Sequence, residues 1–291
     1  MTAPSAEIEE RLRRLTGRIT GLPTLPEMLQ KLNRMMVNPR TSAKDVAQVI
    51  ASDAALASKV LRVVNSSFYG FPSRISTVTH AIVILGFNTV KGIVLSSTIF
   101  EMFRREGRDG SFDQLEFWKH SLATGAAARS IARHVGYQGL EEIFIAGLLH
   151  DVGKILLEQH LPAYFDEVWK RRVAQDSLFV EAETQVLGIT HADIGAWLFE
   201  TWSLSKGIID TTKYHHNPAL AGEHQRLASI VHIADILARA LRFGNGGDRR
   251  IPAISETAWT SLGLDESHLP ALLRATHEEI EKALIFLEFA K

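Results

Sequence analysis

An all-α fold is what this 291-residue chain predicts. Helical periodicity dominates, with apolar residues recurring at spacings of three and four, while the alternation of half-buried strands is almost absent. The chain is 46% hydrophobic, enough for one large domain or two moderate ones, each with its own core.

The elements follow in order. Residues 26–37 and 42–51 form two short amphipathic helices, separated by the breaker Asn38-Pro39. Asp53 caps a helix through Val64 that carries Leu56, Val60 and Val63 on one face. Asn65-Ser66-Ser67-Phe68-Tyr69-Gly70 stops it and makes a tight loop. Ser76 opens a helix that Gly86 ends, and Asn88 opens the next, with Val90, Ile93, Val94 and Phe100 packing. Residues 104–112 are polar, hold two glycines and mark the best internal boundary. A second helical block runs from about 113 to 242, and Gly244-Asn245-Gly246-Gly247-Asp248 reads as a linker. A short helix near 255–262 precedes a longer one with Leu269, Leu273, Thr276, Ile280, Leu284 and Leu287 on one stripe.

Bulk properties narrow the function. Net charge is −1 and no strong basic field points to nucleic acid. The basic clusters at Arg11 to Arg18, Arg104-Arg105, Arg171-Arg172 and Arg249-Arg250 read as solvated helix faces. With no cysteine, disulfides, zinc–thiolate sites and thiol nucleophiles are excluded. Met1 to Arg14 carries Glu7, Glu9 and Glu10 and is not a signal peptide. Ile93 to Phe100, broken by Ser96-Ser97, falls short of the ~18 apolar residues of a membrane span. A soluble cytoplasmic protein with no membrane or nucleic-acid partner is the expectation.

Five polar groups interrupt otherwise apolar helical stretches: His120, His150-Asp151, His191, His215-His216 and Asp235. Burying them costs free energy unless something pairs with them, and imidazole and carboxylate are metal-ligand types. His120, opening its helix, shares a face with Thr124, Ala127 and Ile131. Seven apolar or small residues, Ile143 to Leu149, lead into His150-Asp151, the strongest local signal. Adjacent helical residues point about 100° apart, so one metal takes both only near a helix end; alternatively Asp151 bridges two metals. Lys154 offers a cation to a substrate phosphate or snorkels at the surface, and Gly153 is a candidate helix breaker. Thr190 and Asp193 look like a capping box that makes His191 the first helical residue. His215-His216 ends the helix that starts after Ser205; the two rings are expected to point to different sides, one a ligand and the other supporting or superficial. His80, His134, His160, His224, His232, His268 and His277 read as structural.

The order His…His-Asp…Asp on separate helices resembles the HD superfamily of metal-dependent phosphohydrolases. That resemblance implies His120, His150, Asp151 and Asp235 as ligands, with His191, His215 and His216 holding a second metal bridged by Asp151. The N-terminal half specifies the branch. Leu22-Pro23-Thr24-Leu25-Pro26, Asp53-Ala54-Ala55-Leu56, Leu61 to Gly70 and Ala81 to Gly86 are similar to the HDOD family, HD-related output domains of bacterial signalling. Phe117 to Ser121, Ala146 to Lys154, His191 to Ala196 and His215-His216 continue the likeness over about residues 20–240. Trp202-Ser203-Leu204-Ser205 departs from the usual Trp-x-Leu-Pro. The chain also runs from His215-His216 into Asn217-Pro218-Ala219, without the Gly-Tyr-Pro of cyclic-dinucleotide phosphodiesterases.

The resemblance implies an N-terminal helical subdomain packed on a C-terminal HD-like bundle. The corresponding boundaries are an extension over 1–17, the HDOD domain over 18–242 (18–108 and 109–242), and C-terminal helices over 248–291 on the HD-like part. It implies a regulatory signalling module with a mono- or binuclear site for a divalent metal (Fe, Mn, Zn, Mg or Ni), acting through signalling proteins. The Asn65–Gly70 loop is then either a contact surface or an internal packing turn. The alternative is a phosphohydrolase or phosphodiesterase for a nucleotide-like phosphate ester, with Asp151 and Lys154 as catalytic groups.

Overall fold

A computed structural model describes residues 6–19, 24–36, 38–103 and 112–289, and every regular element among them is helical. Leu22-Pro23, Arg104-Arg105 and the polar boundary up to Ser111 lie outside the described residues. The chain divides into two units. The smaller holds residues 23–108 and 278–291, and the larger holds 1–22 and 109–277.

In the smaller unit, α2 (Glu27–Met36) and α3 (Ala43–Ala51) precede α4 (Ala54–Val64). Ser42 and Asp45 form a reciprocal capping box at α3, and the Asp53 carboxylate accepts from the Leu56 amide at 2.9 Å to start α4. Asn65 ends α4 and fixes the loop beyond it: its carboxamide oxygen accepts from the Ile75 amide at 2.7 Å and its nitrogen donates to the Ile75 carbonyl at 2.8 Å. Phe68 is buried edge-on to Phe286, while Tyr69 is half-buried, so the loop is chiefly a packing turn. Thr77, rather than Ser76, caps α5 (Val78–Met102). Gly86, at φ 83°, kinks this helix instead of ending it. By length and composition α5 could cross a membrane. Val90, Ile93, Val94, Ile99 and Phe100 are buried within the protein, and the kink divides the helix.

The larger unit is built around α6 (Gln114–His134), capped by Asp113. His120 therefore lies in its second turn, not at its start. Apart from Lys119, which is only half-buried, Phe117 to Ala132 are buried, so α6 is a central helix covered on all sides. Around it come α7 (Leu140–Leu149), α8 (Val152–His160), α9 (Pro162–Gln175), α10 (Phe179–Val186), α11 (His191–Thr201), α12 (Lys206–Tyr214) and α13 (Gln225–Ala240). The N-terminal α1 (Ala6–Thr16) belongs here too, with Arg11 donating to the Leu187 carbonyl. Arg11, and Arg18 just beyond the helix, are thus partnered rather than simply solvated, Arg18 pairing with Tyr164.

The C-terminal helices, expected wholly on the HD-like part, are shared between the units. The helix α14 (Glu256–Ser261) and most of α15 (Leu269–Ala283) belong to the larger unit, and residues 278–291 to the smaller. The buried stripe of α15 is Leu272, Thr276, Ile280 and Ala283, continuing to Phe286. Leu269 and Leu273 are only half-buried, so the expected stripe is rotated at its start.

Candidate metal centre

Two glycine contacts bring the polar groups together. A Cβ on Gly125 of α6 would stand 2.7 Å from the Phe144 carbonyl oxygen, and one on Gly147 of α7 would stand 2.8 Å from the Gly125 Cα. Only glycines allow the two backbones so close, and this crossing sets His120 of α6 beside His150. A Cβ on Gly153 would fall 2.0 Å from the His191 carbonyl oxygen. Gly153 is therefore no helix breaker; it lies inside α8 and lets α11 approach. His150 and Asp151 occupy the junction between α7 and α8, where the chain turns and both side chains reach one centre.

Seven side chains converge in two groups. His120, His150 and Asp235 form one; Asp151, His191, His215 and His216 form the other, with candidate ligand atoms within 4.8 Å of each other in each group. All but His216 are buried. The expected divergence of His215 and His216 is not found. Residue 215 already lies at the C-cap of α12, and the two rings stand 3.9 Å apart in one cluster. Asp151 lies between the groups: its Oδ1 is 2.9 Å from His191 Nε2 and 3.6 Å from His215 Nε2, its Oδ2 3.4 Å from His150 Nε2 and 4.0 Å from His120 Nε2.

Three of the five rings are oriented from behind. His150 Nδ1 donates to the Gly147 carbonyl at 2.7 Å, His215 Nδ1 to the Thr212 carbonyl at 2.7 Å, and His191 Nδ1 to Glu183 Oε2 at 2.6 Å. Committing Nδ1 as donor leaves Nε2 with a lone pair aimed inward, the arrangement that backs metal-ligating histidines. His120 Nε2 stands 2.9 Å from Asp235 Oδ1. Even so, His120 Nε2, His150 Nε2, His215 Nε2 and Asp151 Oδ1 make no hydrogen bond. Four buried polar atoms converging without partners would be costly unless a cation satisfied them together. The donor set fits a divalent ion, or two with Asp151 between them.

The electrostatics agree. Burial penalises the charged His150 ring, but the Asp151 and Asp235 carboxylates outweigh it and raise its pKa to about 9. Burial holds His215 down to about 4, and it also lowers His120 and His216. Burial opposes ionisation of Asp151, yet His150, Lys154 and His191 keep its pKa well below the ordinary carboxylate value. Arg239, donating to Asp235 at 2.8 Å, does the same for Asp235 against its burial.

Lys154 does not snorkel at the surface. It is fully buried, donating to Asp151 Oδ2 at 2.7 Å and to the Gly246 carbonyl at 2.9 Å. The Gly244–Asp248 loop is likewise no linker. Gly246 lies against the His120 ring, Asn245 donates from its amide to the Glu116 carbonyl at 2.8 Å, and Asp248 pairs with Arg239 and caps Phe179. Sequence reasoning missed this loop, Glu183 and Arg239. Only Arg239 left a signal, one turn after Asp235. His232 is structural as expected, bridging the His215 carbonyl and the Ser255 amide.

The chain is similar to several known proteins. A protein of Treponema pallidum (strain Nichols) with no assigned function is 28% identical over 229 residues. That match covers 78% of this chain and 44% of the relative, so the chain spans less than half of the relative's length. A Geobacter sulfurreducens HDOD-domain protein of unknown function superposes with a TM-score of 0.81 at 24% identity, covering 98% and 99% of the two chains. A Marinobacter aquaeolei protein, named a candidate signal-transduction protein, gives 0.74 at 25% identity over 98% of this chain and 65% of its own. A Shewanella amazonensis protein, named a candidate phosphohydrolase, gives 0.73 at 23% identity over 99% of each. The Geobacter and Shewanella likenesses, below 25% identity, carry the fold alone. The HDOD domain itself matches residues 22–218, about two thirds of the sequence, and the chain belongs to the HDOD family.

Proposed function

We propose that this protein is a regulatory signalling module whose larger unit holds one or two divalent ions and which acts through protein partners. The observation that carries the metal is the convergence of four buried, unbonded ligand atoms on the two sides of Asp151. His120, His150 and Asp235 would hold one ion, and His191, His215 and His216 the other, with Asp151 shared. Bound there, a divalent ion supplies Lewis acidity and lowers the pKa of water. Glu183, Gly147 and Thr212 orient three of the imidazoles, and Lys154 and Arg239 balance the two carboxylates. The signalling role rests on family membership and on the Marinobacter likeness.

A second reading, hydrolysis of a phosphate ester, is favoured by one observation: His216, alone of the seven, is not fully buried. Elemental analysis of the purified protein, with and without added Mn or Fe, tests the metal. A screen of nucleotides and cyclic dinucleotides tests the reaction. A metal-loaded protein that turns over none of them supports the regulatory role, and turnover abolished by Asp151→Asn supports the enzyme. A protein that stays metal-free under all conditions sinks both metal roles.

A further inference from the structure

The two clusters differ in what covers them. Gly246 and Gly247 are buried, and a Cβ on Gly246 would stand 2.7 Å from His120 Cδ2, 2.9 Å from His120 Nε2 and 3.3 Å from Asp151 Oδ2. A Cβ on Gly244 would meet the His120 amide nitrogen at 2.2 Å. Glycine is therefore required for this loop to lie on the His120 side of the centre. The loop is fastened at four points: the Asn245 amide on the Glu116 carbonyl, the Gly246 carbonyl on Lys154, and the Asp248 carboxylate on both Arg239 and the Phe179 amide. Two of these fasteners, Lys154 and Arg239, are the cations that neutralise Asp151 and Asp235. Among the seven candidate ligands, His216 alone is not fully buried.

We propose that the Gly244–Asp248 loop seals the His120/His150/Asp235 cluster, so that the centre has one closed and one open position. The closed position takes an ion and no exogenous ligand. The open one, at His191, His215 and His216, is where an anion of the phosphate class would enter. Closed coordination is the mark of a structural metal, and an open position that of a reactive one. This inference rests on the two clusters being metal sites. It goes beyond that reading by assigning them different access and by naming the loop as the cause. Lys154, committed to Gly246 and Asp151, is then a fastener and not a phosphate ligand.

The test uses the full chain loaded with Co(II), challenged with excess chelator and followed by the cobalt absorption band. Two release phases are expected, one fast and one slow. Asp248→Ala removes the clamp to Arg239, and Gly246→Ala pushes the loop off His120 without removing a charge. Each variant should accelerate the slow phase by about tenfold or more, the effect of losing a charge-assisted hydrogen bond, and leave the fast phase unchanged. Because Asp248→Ala could impair folding, Gly246→Ala and circular dichroism of both variants serve as the control. A slow phase that neither variant moves overturns the seal. If only one ion binds, slow loop-sensitive release supports the proposal and fast loop-insensitive release refutes it. Hydrogen exchange of the Asn245 and Gly247 amides on metal-free protein separates this inference from the metal reading. A chain that takes up no cobalt refutes the metal. Protected loop amides that both variants expose still support the seal, and amides unprotected in the parent chain overturn it.

Discussion

Glu183 decides which nitrogen of His191 faces Asp151. It accepts from both the His191 amide, at 3.0 Å, and the His191 ring, and it is fully buried. Replacing it with glutamine leaves the ring free to choose the other tautomer. The expected result is a loss of about 10–100-fold in metal affinity, measured by chelator competition, with the fold intact by circular dichroism. Lys154 sets a different balance. In Lys154→Met the buried Asp151 carboxylate loses a cation, and breaking such a pair costs about 3–5 kcal/mol in urea denaturation of the metal-free protein. Added metal should restore part of that loss, and a variant as stable as the parent would show that Lys154 is dispensable. His150 gives the pH dependence. Its pKa is raised to about 9 in the metal-free chain, so it carries a proton at neutral pH that a metal must displace. Affinity should therefore rise as pH increases toward 9 and fall as the solution is acidified. Loading at pH 7 should release protons, seen as a binding enthalpy that changes with the ionisation enthalpy of the buffer.

At the scale of elements, two of the helix pairs around the ligands, α6 with α7 and α8 with α11, touch through glycine. Gly147→Ala would place a methyl 2.8 Å from the Gly125 Cα. Overpacking of this kind costs about 1–3 kcal/mol and should also spread His120 from His150, so denaturant stability and metal affinity fall together. The sequence made the ligands legible because charged and imidazole groups stand out in runs such as Ile143 to Asp151 and Ile230 to Leu237. It made several helix starts legible through Asp53, Thr190 and Ser205, whose side chains or neighbours satisfy free amides. Glu183 was not legible, because a glutamate in a short amphipathic helix looks solvated until another helix is laid over it. The Gly244–Asp248 loop misled for a related reason: glycine and polar residues are what a solvated linker needs and also what a strap against a helix needs. His120 reads as a helix start because Phe117-Trp118 conceals that Asp113 already caps that helix.

For the whole molecule, the presence of two units makes a specific demand on the effect of metal. All seven candidate ligands lie in the larger unit. An ion that binds only the folded state stabilises it by about 2.7 kcal/mol at a hundred times its dissociation constant. Hydrogen exchange should locate that gain in α6, α7, α11 and α13 and leave α3 and α4 unchanged. Equal protection of α3 and α4 would mean that the two units respond as one. The three glycines at 125, 147 and 153 bear on the history such a fold can have. Backbone meets backbone at these points without help from any imidazole. The scaffold and its candidate ligands are thus separately heritable: a descendant could exchange its histidines one by one and still keep the same outline.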